Sequence, residues 1–106
     1  MSDKVGLFVT FWAAPGKFDG LLEKVSTMMD TVMAETGTLV YGFHKVSDER
    51  GQGVSVYEVY ENVEAQRIHG ESAAINILKP QLAELLGRAP ERYQLMPIPG
   101  SKGLPF

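Results

Sequence analysis

The densest run of chemically active side chains in the sequence is Tyr57-Glu58-Val59-Tyr60-Glu61-Asn62, with His69 following in the next predicted helix. Strand alternation predicts Glu58 and Tyr60 on one face and Tyr57 on the other. Asn62 is a good helix N-cap, so a short helix running to about Gly70 carries His69 roughly two turns in, where its imidazole reaches over the sheet. An imidazole near neutral pH can take a proton from an acidic phenol or enol, and a tyrosine hydroxyl can hydrogen-bond the resulting oxygen. On this reading His69 is the proton acceptor, Tyr60 the hydrogen-bonding and stacking partner, and Glu58 the orienting carboxylate, with Trp12 and Tyr41 as pocket walls. A structural reading competes with it: His69 hydrogen-bonds Glu58 or a backbone carbonyl, Glu58 pairs with Arg67, Arg88 or Arg92, and the aromatics pack the core or an interface.

Other chemistry is excluded by composition. The 106 residues contain no cysteine, which removes disulfides, thiolate nucleophiles, thiolate zinc sites and cysteine-ligated iron–sulfur clusters together. Ten Lys and Arg against thirteen Asp and Glu leave a net charge of −3 with no basic run, so nucleic acid is not an expected partner. Phosphate-binding loops, dinucleotide fingerprints, nucleophile elbows and zinc helices are absent. His44 reads as a surface or interface residue on a strand, too far in sequence from His69 to predict a metal pair. No apolar stretch approaches the roughly 18 residues of a membrane span, and the first residues do not read as a secretory signal, so a cytoplasmic, membrane-free protein is expected.

The elements that position these residues are legible from periodicity. Val5 to Trp12 has strand composition with both faces mostly apolar. Phe18, Leu21, Leu22, Val25, Met28, Met29, Val32 and Met33 recur at helical spacing, and Gly37 follows where a left-handed C-terminal cap is wanted. Thr38 to Val46 and Val54 to Glu61 read as antiparallel strands joined by a loop from Ser47 to Gly53. Ser72 caps a second late helix with a stripe of Ile75, Leu78, Leu82, Leu85 and Leu86, in which Pro80 either kinks the helix or begins a separate one. Glu91 to Ile98 forms the last strand. Met28, Met29, Met33 and Met96 are expected to fill the helix–sheet core, and Glu61, Glu64 and Arg67 to form a solvated helix face.

The resulting order is β-α-β-β-α-β, an α+β, ferredoxin-like arrangement with a four-stranded antiparallel sheet. It predicts one domain over residues 1–98 and a tail over 99–106. Helices cover one face of such a sheet. Because Phe8, Phe11, Trp12, Tyr41, Phe43, Tyr57, Tyr60 and Tyr93 all fall on predicted strands, an uncovered second face would expose a large apolar patch. Pairing two sheets face to face in a homodimer removes it.

Pro15-Gly16 before a long helix, Glu35-Thr36-Gly37 at its end, Tyr41, Tyr57-Glu58-Val59-Tyr60, Ala65 and His69, and a final strand Tyr93-Gln94-Leu95-Met96-Pro97-Ile98 together resemble the antibiotic biosynthesis monooxygenase family over Val5 to Ile98. The resemblance implies a dimeric α+β barrel with a pocket between sheet and helices in each subunit. It also implies oxidation of a small phenolic, quinol or enol substrate by molecular oxygen with no metal, flavin or haem. Tyr60 stands where the family often has tryptophan. Haem-degrading relatives carry an asparagine on the first strand, which here reads Phe8-Val9-Thr10-Phe11-Trp12, so haem is disfavoured although His69 stands where an axial ligand would be. Two alternatives remain: a non-catalytic module that binds a small aromatic or signalling molecule, and an isomerase of a small signalling ketose.

Overall fold

A computed structural model describes residues 3–103. The chain runs β1 (Val5–Trp12), α1 (Phe18–Ser26), α2 (Met28–Met33), β2 (Thr38–Asp48), β3 (Gly51–Tyr60), α3 (Val63–Gly70), α4 (Ala73–Ala83) and β4 (Glu91–Leu95). The four strands are ordered β2-β3-β1-β4 and every neighbouring pair is antiparallel. This is the α+β, ferredoxin-like sheet, with β1 and β3 in the middle. Of the tail at 99–106, residues 104–106 lie outside the described residues.

Helix-facing positions follow from the register. Leu7, Val9 and Phe11 of β1 oppose Glu58, Val56 and Val54 of β3, which in turn oppose Tyr41, Phe43 and Lys45 of β2. Against this face pack Leu21, Val25, Met28 and Val32 from α1 and α2, and Leu78 and Leu82 from α4, all buried and spaced three or four residues apart on their helices.

Several elements differ from expectation. The helical stripe from Phe18 to Met33 is not one helix, because it breaks at Thr27. Ser26 Oγ donates to the Leu22 carbonyl at 2.6 Å and Thr27 Oγ1 to the Lys24 carbonyl at 2.6 Å. The Thr27 backbone N–H also turns back to Lys24, at 3.2 Å. Two adjacent hydroxyls competing for backbone carbonyls tighten the chain there. In α2, Met28 and Val32 then take the inward face, whereas Met29 and Met33 sit about 100° around the helix, 47% and 86% exposed. Met96 lies past the end of β4 and is also exposed, so of the four methionines assigned to the core only Met28 is in it. Pro80 lies inside α4 and starts no second helix. α4 ends at Ala83 and β4 at Leu95, each short of its predicted boundary.

The predicted seven-residue loop is instead a tight hairpin, with Asp48 paired to Gly51. The Asp48 carboxylate accepts the Arg50 backbone N–H at 2.7 Å, and Gly51 takes φ +112°. The one positive-φ position that the turn needs is thus filled by glycine, and the strands extend through residues whose composition looks like loop. Gly37 is the reverse case. Its φ is not positive; a Cβ there would lie 2.6 Å from the Ala65 Cβ. Glycine is required because α3 passes directly against it.

Candidate functional site

One end of the helix-facing sheet surface is not filled by helices. It forms a cavity of about 230 Å³ lined by Leu7, Val9, Phe11, Tyr41, Glu58 and Tyr60 from the sheet, Gln66, His69, Ile75, Leu78 and Lys79 from α3 and α4, and Pro90 and Arg92 near and on β4. The hydroxyl of Tyr60 donates to Glu58 Oε1, a contact that same-face positions two apart on β3 allow. Both residues are buried.

His69 reaches this cavity from the last turn of α3, whose first turn is held by the Asn62 side chain accepting the Ala65 N–H at 2.8 Å. Its ring lies 5.1 Å from that of Tyr41 and 5.5 Å from that of Tyr60. The carboxylate that orients it is Glu35, not Glu58: His69 Nδ1 meets Glu35 Oε1 at 2.8 Å, and Thr38 Oγ1 donates to the same oxygen at 2.8 Å. A carboxylate acceptor requires a proton on Nδ1, so in the neutral ring Nε2 carries the free lone pair. Among the described residues, no fully buried side-chain nitrogen or oxygen lacks a hydrogen bond, and none of these residues partners Nε2. It is therefore reachable from the cavity, as are the second oxygen of Glu58 and the hydroxyl of Tyr41 by the same reasoning.

Glu35 and Thr38 come together through an irregularity. Thr38 pairs with Tyr60 and Val40 with Val59, so Leu39 is an extra residue in β2. The bulge puts Thr38 on the same face as Tyr41, which simple alternation forbids. Gly37, between them, lets α3 approach. Gly37→Ala is accordingly expected to push α3 and His69 away from Glu35, destabilising the fold by about 1–3 kcal/mol and lowering ligand affinity. Denaturant melts and ligand titration of the variant check both.

Burial pushes the Glu58 carboxyl above the usual carboxylate range, against the Tyr60 hydrogen bond and the nearby His69 and Arg92 side chains, which pull it down. Burial likewise pushes the Tyr60 and Tyr41 hydroxyls up, reinforced by the Glu58 charge. A raised folded pKa means that the protonated acid favours the fold, and that this stability is lost as pH rises through the raised value. Glu58→Gln is expected to melt at higher temperature than wild type at pH 8, with the difference shrinking towards about pH 4 and below, where both side chains are neutral. Thermal melts across that range test it; a difference that does not change with pH would contradict it.

Trp12 does not line this cavity. It lies on the opposite sheet face, where its indole N–H donates to Glu91 Oε1 and the Arg50 guanidinium sits 4.4 Å above the ring. Odd and even positions of β1 face opposite ways, so Trp12 shares a face with Phe8 and Thr10. Arg67 is not a partner of Glu58 either, since it pairs with Glu64 and Glu71 on the exposed face of α3. Glu35, Thr38, Gln66 and Lys79 had no predicted role at the site. Among the described residues, no three His, Asp or Glu side chains group to hold a metal ion.

The profile of the antibiotic biosynthesis monooxygenase family matches residues 5–76, more than half the chain and the span that contains Glu35, Tyr41, Glu58, Tyr60 and His69. The chain belongs to the antibiotic biosynthesis monooxygenase family. Solved structures agree on the fold. Rv0793 from Mycobacterium tuberculosis superposes with a TM-score of 0.82 at 22% identity, covering 92% of this chain and 98% of that one. PA3566 from Pseudomonas aeruginosa gives 0.81 at 22% identity, covering 93% and 98%. A Nitrosomonas europaea protein that carries the provisional name antibiotic biosynthesis monooxygenase gives 0.82 at 14% identity, covering 92% and 93%. No curated protein sequence matches the chain significantly. Lys79, Arg92 and the rest of β4 lie beyond the matched span.

Proposed function

We propose that this family member is a cofactor-independent monooxygenase that oxidises a small phenolic, quinol or enol substrate with molecular oxygen. The observation that carries the reading is the Glu35–His69 pair, which leaves an accessible Nε2 facing a cavity walled on the sheet side mainly by Leu7, Val9, Phe11, Tyr41 and Tyr60. In this mechanism Nε2 removes the substrate hydroxyl proton, and Glu35 stabilises the imidazolium that forms. The substrate anion gives one electron to oxygen, and recombination of the substrate radical with superoxide forms a bond between a ring carbon and oxygen. Imidazolium returns its proton to the peroxide. Loss of the ring hydrogen as a proton then drives O–O cleavage, giving a carbonyl and water, so one phenol and one O2 become one quinone and one water. The substrate does the redox work, and the chain supplies base, orientation and a dry pocket. Tyr60 holds Glu58 and presents its ring and oxygen to the substrate, and Tyr41 walls the pocket.

The cavity holds one substituted ring, since a cavity of about 150 Å³ accommodates benzene. The sheet face opposite the helices carries Phe8, Val46 and Tyr93, the last 58% exposed. A second copy pairing on that face in a homodimer would cover these side chains.

Oxygen uptake with a panel of single-ring hydroquinones and catechols tests the activity. Turnover that stops without oxygen is expected, with no added metal, flavin or haem and no Soret band on haem titration. Turnover that continues anaerobically would identify an isomerase, and binding without any turnover a sequestering module.

A further inference from the structure

The chain is net acidic, at −3, yet the rim of its cavity is basic. Lys79 on α4 and Arg92 on β4 both line it. Arg50 is tied to Asp48 and Glu91, and Arg67 to Glu64 and Glu71. Lys79 and Arg92, in contrast, make no hydrogen bond or ion pair with any described residue. The register sets this up. Arg92 opposes Val9 and Gln94 opposes Leu7, so both side chains project to the helix side. Gln94 is closed off by a reciprocal amide pair with Gln66, at 3.1 and 2.9 Å. Arg92 has no such partner on that edge, and Lys79 approaches the same opening from the helix layer.

Resting on the reading above, we infer that the cavity selects a single-ring phenol or quinol bearing a carboxylate, with its hydroxyl at His69 Nε2 and its carboxylate between Arg92 and Lys79. A guanidinium presents a planar fork that matches a carboxylate in two parallel hydrogen bonds, and an ammonium adds a point charge. The one acid in the cavity wall, Glu58, accepts from the Tyr60 hydroxyl and makes no ion pair with either cation among the described residues. At about 230 Å³ the cavity has room for the ring and little else, which leaves the carboxylate at the mouth with the two cations.

The test is calorimetric titration without oxygen, so that binding is read separately from turnover. The probes are 2,5-dihydroxybenzoate, its uncharged amide and 2,5-dihydroxybenzenesulfonate. Wild type should bind the benzoate about tenfold more tightly than the amide at low salt, and more tightly than the sulfonate. In Arg92→Gln/Lys79→Gln the ratio of benzoate to amide affinity should fall to about one with amide affinity unchanged, and Arg92→Lys should retain part of the preference. Both positions are exposed, and circular dichroism confirms that the variants fold. Equal affinity for benzoate and amide, a preference that survives the double substitution, a preference for sulfonate, or failure of all three probes to bind would each overturn the inference. Benzoate that binds as expected but consumes no oxygen would overturn the proposed activity alone. Oxidation of neutral hydroquinones with no preference for the acid would overturn the carboxylate site alone.

Discussion

His69→Ala is expected to lower kcat/KM for an oxidisable phenol by about 100- to 10,000-fold, the range over which a positioned general base acts. Most of the fall should be in kcat, because the ring-sized wall of Leu7, Val9, Tyr41 and Tyr60 that binds substrate is untouched. The loss should be partly offset at high pH, where more of the substrate is already ionised in solution. Glu35→Gln is the informative companion. Its amide oxygen can still accept from Nδ1 and Thr38, so geometry and tautomer survive while the charge facing the imidazolium is lost. Steady-state kinetics should show reduced kcat with little change in KM. A Glu35→Gln enzyme with wild-type kcat would mean that the carboxylate only positions the ring.

Tyr60→Ala is expected to cost about 3–5 kcal/mol of stability, the range for deleting a fully buried aromatic side chain, since Tyr60 is 0% exposed on the central strand β3. Two effects add there, the lost ring and the orphaned carboxyl of Glu58. Tyr60→Phe separates them. It keeps the ring against His69 and removes only the hydroxyl donor, so about 1–3 kcal/mol should be lost, with the loss smaller at low pH where Glu58 is neutral. Denaturant melts at two pH values distinguish the contributions. Equal destabilisation by both substitutions would show that the hydrogen bond and not the packing holds this end of the sheet.

The fold was largely legible because each element declares itself locally. The apolar spacing of α1 and α4, the caps Asn62 and Ser72, and the alternation of β1 and β3 are near-neighbour signals, and the antiparallel sheet follows from their order. The common face of Glu58 and Tyr60 is a period-two fact, and His69 follows from helix length. What escaped was set by contacts between distant segments or by a single extra residue. The bulge at Leu39 has no sequence mark, and without it Thr38 faces away from Glu35. Glu35 lies two residues past α2, whose separation from α1 at Thr27 depends on two hydroxyls choosing backbone carbonyls over water. Gly37 looks like a helix cap until Ala65 is seen against it. Trp12 suits a pocket by residue type, but its even position in β1 puts it with Phe8 and Thr10 on the other face.

The division of the cavity between the middle of the sheet and its edge bears on how such a protein changes over time. Glu58 and Tyr60 stand on β3, hydrogen-bonded on both sides, where a substitution disturbs two neighbouring strands. Arg92 stands on β4, bonded on one side only, and Lys79 on an exposed helix surface. Mutations at the rim are therefore nearly free of structural penalty, while truncations at the reacting end are not. A lineage built on this plan can drift from one substrate substituent to another while its proton-transfer apparatus stays in place, and libraries randomised at positions 79 and 92 should yield mostly folded proteins.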